Sequence, residues 1–270
     1  MRTDRRGFLK IAGVAAIGLG LKPTMEQLRG AGLVEASPEM LAQGASEGIR
    51  WAMAVDLPKC WETPGCTACI VACDEAHNIP HFDDPKKEIR WIWEEPYGKV
   101  FPEQDPRLAT PGAGSSPANL ASLPALLLCN HCDNPPCVRV CPTKATWQRP
   151  DGIVMMDDHR CIGCRYCMVA CPYGSRSFNF ADPRTGLDMN KVNPDFPTRT
   201  RGVVEKCTLC AERIDVGKIP ACVEACPQKA LVFGNINDPS SQVRKLVESR
   251  YTMVRRPELG TKPQIYYIVS

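Results

Sequence analysis

Sixteen cysteines fall into four groups of four, and none is left over. The groups are Cys60-Cys66-Cys69-Cys73, Cys129-Cys132-Cys137-Cys141, Cys161-Cys164-Cys167-Cys171 and Cys207-Cys210-Cys222-Cys226. A 4Fe–4S cluster takes four thiolates, so the ligand count predicts four clusters. No hydrophobic pattern constrains the chain as strongly, because its loops must converge on four points. The third group has the spacing C-x2-C-x2-C-x3-C-P, the run of bacterial ferredoxins. The second reads C-x2-C-x4-C-x3-C-P and the fourth C-x2-C-x11-C-x3-C-P. The first reads C-x5-C-x2-C-x3-C and is followed by Asp74 instead of proline. All four keep the final C-x3-C. In such runs the fourth cysteine ligates the other cluster of a pair, so two groups make one cross-braced unit.

Two plainer readings compete. Paired C-x2-C elements also build structural zinc sites. Zinc does not account for the final cysteine-proline of three groups or for the three-plus-one arrangement. Disulfides suit an exported chain with an even cysteine count. A chain of 270 residues buries a core without them.

The start of the chain reads Asp4-Arg5-Arg6-Gly7-Phe8-Leu9-Lys10, then an apolar run from Ile11 to Leu21. Paired arginines before Phe-Leu-Lys are a Tat-type export signal. The apolar run is too short to span a bilayer and suits a signal segment. Residues 1–36 therefore read as a signal region, with Val34-Glu35-Ala36 as a cleavage site before Ser37. The rival reading is a basic amphipathic anchor. Export of a folded protein would also spare the thiols, since clusters are inserted before the chain meets an oxidising compartment. The expected location is the extracytoplasmic face of the cytoplasmic membrane.

The signal region carries the chain's whole net charge of +3, which leaves the remainder at zero. Four clusters on sixteen thiolates would bring it to about −8. Nucleic-acid binding is therefore not expected.

Repeats mark the modules. Trp51–Asp56 is strand-like and leads through three residues to Cys60. Ile153–Asp157 leads likewise to Cys161, and Gly202–Lys206 is a shorter version before Cys207. Cys141-Pro142-Thr143-Lys144-Ala145 is echoed by Cys226-Pro227-Gln228-Lys229-Ala230. The unit is strand, cluster loop, short helix, strand. The expected fold is α+β and loop-rich, a duplication of bis-4Fe–4S ferredoxin-like modules. Residues 109–124 and 184–202 read as surface loops. A helix is expected over 240–247 behind Asp238-Pro239. Two readings stand for residues 251–270: a terminal strand in the chain's own sheet, or a docking arm for a partner.

No C-x2-C-H haem motif and no strand-to-helix G-x-G-x-x-G is present. His77, His81, His131 and His159 have no ligand spacing and read as loop residues. No catalytic nucleophile or acid–base pair stands out, so no substrate-converting site is expected. Lys59, Arg160 and Lys206 read as solvated charges beside ligands. Arg165, inside a ligand loop, reads equally as a solvated charge or a tuning charge. Trp51, Trp61, Trp91, Trp93 and Trp147 read as core or interface.

On these motifs, residues 49–235 resemble the four-cluster ferredoxin-type subunits of membrane oxidoreductases. That family includes the iron–sulfur subunits of dimethyl sulfoxide, polysulfide and formate-dependent nitrite reductases. The resemblance implies that groups one and four form an outer module (49–120 and 202–235). Groups two and three form an inserted one (121–201), and 236–270 is an extension. It further implies four ligand sets: Cys60, Cys66, Cys69 with Cys226; Cys207, Cys210, Cys222 with Cys73; Cys129, Cys132, Cys137 with Cys171; and Cys161, Cys164, Cys167 with Cys141. The x5 interval after Cys60 departs from the usual x2 and marks where a three-iron variant would arise. Arg50-Trp51-Ala52-Met53, Cys60-Trp61-Glu62, Cys129-Asn130-His131-Cys132-Asp133-Asn134-Pro135-Pro136-Cys137 and Pro257-Glu258-Leu259-Gly260-Thr261-Lys262-Pro263 resemble the exported subunit of Dsr-type complexes of sulfur metabolism. That resemblance implies two partners, an NrfD-like quinone-reactive membrane subunit and a multihaem cytochrome c. The alternative is the wiring subunit of a molybdopterin reductase of polysulfide, tetrathionate or dimethyl sulfoxide type.

Overall fold

A computed structural model describes residues 48–102 and 120–269. The expected signal region, residues 1–36, and most of the expected 109–124 loop lie outside the described residues. The strands are β1 (Trp51–Asp56), β2 (Ile92–Pro96), β3 (Pro124–Leu128), β4 (Thr146–Gln148), β5 (Val154–Met156), β6 (Ser177–Phe178), β7 (Val204–Glu205), β8 (Leu231–Asn235), β9 (Thr252–Met253) and β10 (Ile265–Ile268). The helices are α1 (Leu57–Trp61), α2 (Ala68–His77), α3 (Tyr97–Val100), α4 (Pro136–Arg139), α5 (Tyr166–Ala170), α6 (Ala211–Ile214), α7 (Ala221–Glu224) and α8 (Gln242–Ser249). Among the described residues no helix is long and apolar enough to cross a membrane.

The largest sheet has the order β8-β1-β10-β9. β1 runs antiparallel to β8 and parallel to β10, with Val55 opposite Leu231 and Met53 opposite Ile265. Successive strand side chains point to opposite faces, so β1 has two different sides. Met53 and Val55 enter the main core with Ile265 and Tyr267. Ala52 and Ala54 face the other way, where their small side chains let α8 lie close through Val243, Leu246 and Val247. A Cβ on Gly234 would stand 2.6 Å from the Ser241 Oγ and 3.3 Å from the Val243 Cγ1, so the start of α8 lies close over the sheet there.

The tail thus belongs to the sheet. β10 is an interior strand, and Ile265, Tyr267 and Ile268 have no exposed surface. The expected helix forms two residues later than its sequence suggests. Ser241 is its N-cap, while Asp238 accepts hydrogen bonds from the Ser240 N–H and hydroxyl.

The three expected strands at the module starts all form, and the acidic residue after two of them has a visible task. Asp56 accepts the Lys59 N–H and caps α1, which carries Cys60. Asp157 accepts the N–H groups of His159 and Arg160 and turns the chain into the loop of Cys161. Glu205 departs from the pattern by turning inward.

α2 packs on α7, and α4 packs on α5. The expected module boundaries do not coincide with gaps in packing. β2 pairs with β3 across 120/121 and β6 with β7 across 201/202. One core draws on Met53, Leu126, Ile153 and Cys207 alike. Beyond a short 3-10 helix at Pro183–Gly186, the 184–202 stretch is irregular, as expected, but tied down. Asn78 donates to the carbonyls of Asn193 and Phe196, and Asn193 donates to that of Ala76.

Candidate metal centres

The C-x3-C spacing sets the geometry. Cys69 and Cys73 lie one turn apart on α2, stacked along the helix axis. Each therefore meets a different partner set. Cys69 joins Cys60, Cys66 and Cys226 around a cavity of about 190 Å³, also lined by Trp61, Pro64 and Leu126 (centre I). Cys73 faces Cys207, Cys222 and Cys210 (centre II). Cys132 lies beside Cys129, Cys137 and Cys171 (centre III). Cys141, Cys161, Cys164 and Cys167 line a smaller cavity with Thr146, Met156 and Val204 (centre IV). Each set thus takes three cysteines from one group and the last cysteine of another.

The centres also stand in file. Cys69 of centre I lies near Cys222 of centre II. Cys207 of centre II lies near Cys129 of centre III. Cys137 of centre III lies near Cys167 of centre IV.

Several loop residues hold left-handed backbone, a strained conformation for any residue but glycine. They include Arg165, Leu209 and Cys210, and also Lys144 and Lys229, which follow the two Cys-Pro echoes. The shared backbone turn is the physical content of that repeat. At Gly163, with φ +68, a Cβ would stand 2.3 Å from the Gly202 carbonyl oxygen, so the Cys161–Cys164 loop is pressed against backbone.

The donor set fits iron–sulfur clusters. All sixteen cysteines are free thiols. Burial first, and then the neighbouring Cys226 sulfur, pushes the thiols of Cys60 and Cys69 up to about 12. Burial and its three sulfur neighbours push Cys73 well up too. Four thiolates so placed need a shared cation. Near centre III the buried donors Asn130 Nδ2, His131 Nε2 and Arg255 Nε have no hydrogen-bond partner. Buried polar groups are rarely left so, and anionic sulfur would satisfy these.

The histidine and lysine readings need correction. His77 ends α2 and is buried. Its Nδ1 lies 2.9 Å from the Cys73 carbonyl and its Nε2 2.9 Å from Glu212. Both nitrogens thus face acceptors, the arrangement of an imidazolium. Burial opposes that charge, but Cys210 and Glu212 outweigh it and raise His77 to about 9. The cluster of His77, Cys210 and Glu212 shares its sulfur with centre II. His131 is also buried. Its Nδ1 accepts the Val154 N–H, which fixes a neutral ring, and burial followed by Lys206, Arg50 and Arg176 holds its pKa down. Only His81 and His159 lie outside regular structure and near the surface. Lys206 is no solvated charge: it is buried, and its ammonium donates to the carbonyls of Cys207 and Val154. Lys59 and Arg160 are exposed and pair with Asp56, which is buried, and with half-buried Asp157. Arg165 lies over the Phe178 ring at 5.2 Å. Of the tryptophans, Trp91 is buried, Trp51 stacks on Phe233, and Trp61 lines centre I.

The tail is also part of a centre. The N–H groups of Asp133 and Asn134 donate to Lys262 and Thr261 carbonyls at 3.0 Å, and the Gln264 N–H donates to the Asn130 carbonyl at 2.9 Å. Residues 261–264 therefore brace the loop between Cys129 and Cys137. A cysteine count could not show this, because the tail contributes no cysteine.

Comparison with known proteins agrees with this geometry. The 4Fe–4S dicluster domain family matches residues 123–186 and 192–236. A protein of Archaeoglobus fulgidus, Hdr-like menaquinol oxidoreductase iron–sulfur subunit 1, is 44% identical over 98% of this chain and 97% of its own length. The chain belongs to the ferredoxin-type iron–sulfur subunits of membrane oxidoreductases. Two further members of this family show its breadth. The iron–sulfur cluster-binding subunit of menaquinone reductase from Nitratidesulfovibrio vulgaris is 39% identical, with 82% of this chain and 89% of the relative covered. A subunit of the tetrathionate reductase of Salmonella typhimurium is 34% identical, with 99% and 89% covered.

Proposed function

We propose that the chain is the exported electron-transfer subunit of a Dsr-type, quinol-linked membrane complex and holds four 4Fe–4S clusters on its sixteen cysteines. The observation that carries this is the single file of centres I to IV. Clusters held by these cysteine sets would supply one-electron transfer, and the sets lie next to one another in the order I to IV. The protein supplies the ligands, the spacing and a largely apolar surround. At centre IV Cys164 is exposed, and so are Ile162, Tyr166 and Val169 around it, which supports transfer to a partner at that end. The proposed partners are an NrfD-like quinone-reactive membrane subunit and a multihaem cytochrome c. The Archaeoglobus relative is named for menaquinol, which favours this reading. The Salmonella relative is named for tetrathionate reductase, which supports the alternative of a molybdopterin reductase subunit. Co-purification with a multihaem cytochrome or with a molybdopterin subunit decides between them.

Anaerobically purified protein is expected to carry about sixteen irons and as many labile sulfides per chain, four per cluster. Cys226→Ala should lose the cluster of Cys60, Cys66 and Cys69 and keep the one held by its sequence neighbours Cys207, Cys210 and Cys222. Loss of the neighbouring cluster instead would overturn the ligand sets, and zinc in place of iron would end the reading altogether.

Location follows from the signal. Arg5→Lys with Arg6→Lys should leave the precursor in the cytoplasm, because the arginine pair is the address read by the export receptor. Fractionation that finds the double variant exported in full would refute Tat dependence.

A further inference from the structure

Arg176 is 5% exposed, yet its polar partners do not answer its charge. One guanidinium nitrogen donates to Thr146 Oγ1 at 2.8 Å and the other lies 3.8 Å from the Met156 sulfur. Neither partner is anionic. A buried cation without a partner of opposite charge is strongly unfavourable, so one that persists has a counter-charge. The chain offers its own contrast. Arg199, equally buried, is paired with Glu205 at 2.6 Å and donates to the carbonyls of His77 and Asn78.

Position says what answers Arg176. Thr146 and Met156, its two partners, line the cavity of centre IV. Cys137 of centre III and Cys167 of centre IV pack together with Val154 and Val204 in one buried cluster, and Met156 packs against it. The neighbouring sulfurs of Cys137, Cys167 and Cys129 outweigh burial and strengthen the hold of Arg176 on its proton. A guanidinium carries its charge at every working pH.

We infer that Arg176 is a positioning residue for electron transfer: a fixed cation shared by centres III and IV, whose anionic clusters are its counter-charges and whose reduction potentials it raises together. This rests on the reading that the centres hold clusters. A cluster gains a negative charge on reduction, and nearby charge is one of the levers on its potential. Shared between two sites, one cation eases reduction of both and lessens the repulsion between electrons on adjacent sites. Centres I and II, on the far side of Cys207, feel it least.

The test is a redox titration of the anaerobically purified full chain, followed by electron paramagnetic resonance, on wild type, Arg176→Gln and Arg176→Lys. Iron content reports separately on whether the clusters are there. Arg176→Gln with full iron should show two of the four midpoints lowered by tenfold or more in the reduction equilibrium, about 59 mV for one electron. The other two should stay. Arg176→Lys, which keeps the charge, should hold all four within about threefold of wild type. Unmoved midpoints in Arg176→Gln, or all four moving together, overturn the proposal. If Arg176→Gln loses iron, Arg176→Lys decides: wild-type iron and midpoints support a role for the charge. Loss of iron in both variants, or a lysine shift as large as that of glutamine, makes the role one of shape and overturns it.

Discussion

A chain cut after Arg250 should fail to fold. The cut removes β9 and β10 and leaves β1 with an unpaired edge where an interior neighbour stood. It also takes Ile265, Tyr267 and Ile268 out of the core. At about 1.5–3 kcal/mol for each large apolar side chain, the loss is about 5–9 kcal/mol. A domain has only about 5–15 kcal/mol in all. The same cut strips the brace formed by residues 261–264 from the loop of centre III. The expected result is aggregated protein with little iron, read from soluble yield and iron content after anaerobic expression. Soluble protein with full iron would show that the sheet closes without its tail.

The second large effect is expected at Glu205. Its carboxylate accepts from Arg199 at 2.6 and 2.8 Å and from the Trp91 indole at 3.1 Å, and the Asn179 amide bonds its other oxygen. Glutamine there is nearly the same size but leaves Arg199 charged and buried among uncharged partners. Breaking a buried pair from one side costs about 3–5 kcal/mol. Glu205→Gln should therefore lower the denaturant midpoint sharply under anaerobic conditions. The double variant Glu205→Leu with Arg199→Met should recover much of that loss, because an apolar pair of similar volume removes the stranded charge. A single variant within about 1 kcal/mol of wild type would show that water or a shifted side chain already answers Arg199.

The cysteine spacing makes the centres legible because each group writes its ligands within a short stretch. The structure brings together the same sets that the family resemblance implies. The module-start strands are legible for a similar reason: a short apolar run ends in an acidic residue that turns the chain. Glu205 looks like the third copy of that residue and is something else, since its partners Arg199, Asn179 and Trp91 are fixed only by tertiary packing. His77, His131 and Lys206 depart from expectation on the same ground. Single polar residues near ligands look like loop residues until burial is known. The place of β10 is hidden for another reason. A strand-prone segment at the end of a chain looks the same whether it pairs at home or abroad.

The parallel pairing of β1 with β10 has a consequence for timing. Met53 and Ile265 meet across that ladder from opposite ends of the described chain. β1 emerges long before β10 and waits for it until everything between has been made. Contacts so distant in sequence close slowly, because the loop between them must be gathered first. The loop of centre III waits as well, since its brace comes from 261–264. Under the proposed ligand sets, cluster assembly at that centre would be coupled to completion of the sheet. A cell that exports only finished protein would find in this coupling an internal checkpoint: an unfinished chain lacks the frame to hold its iron.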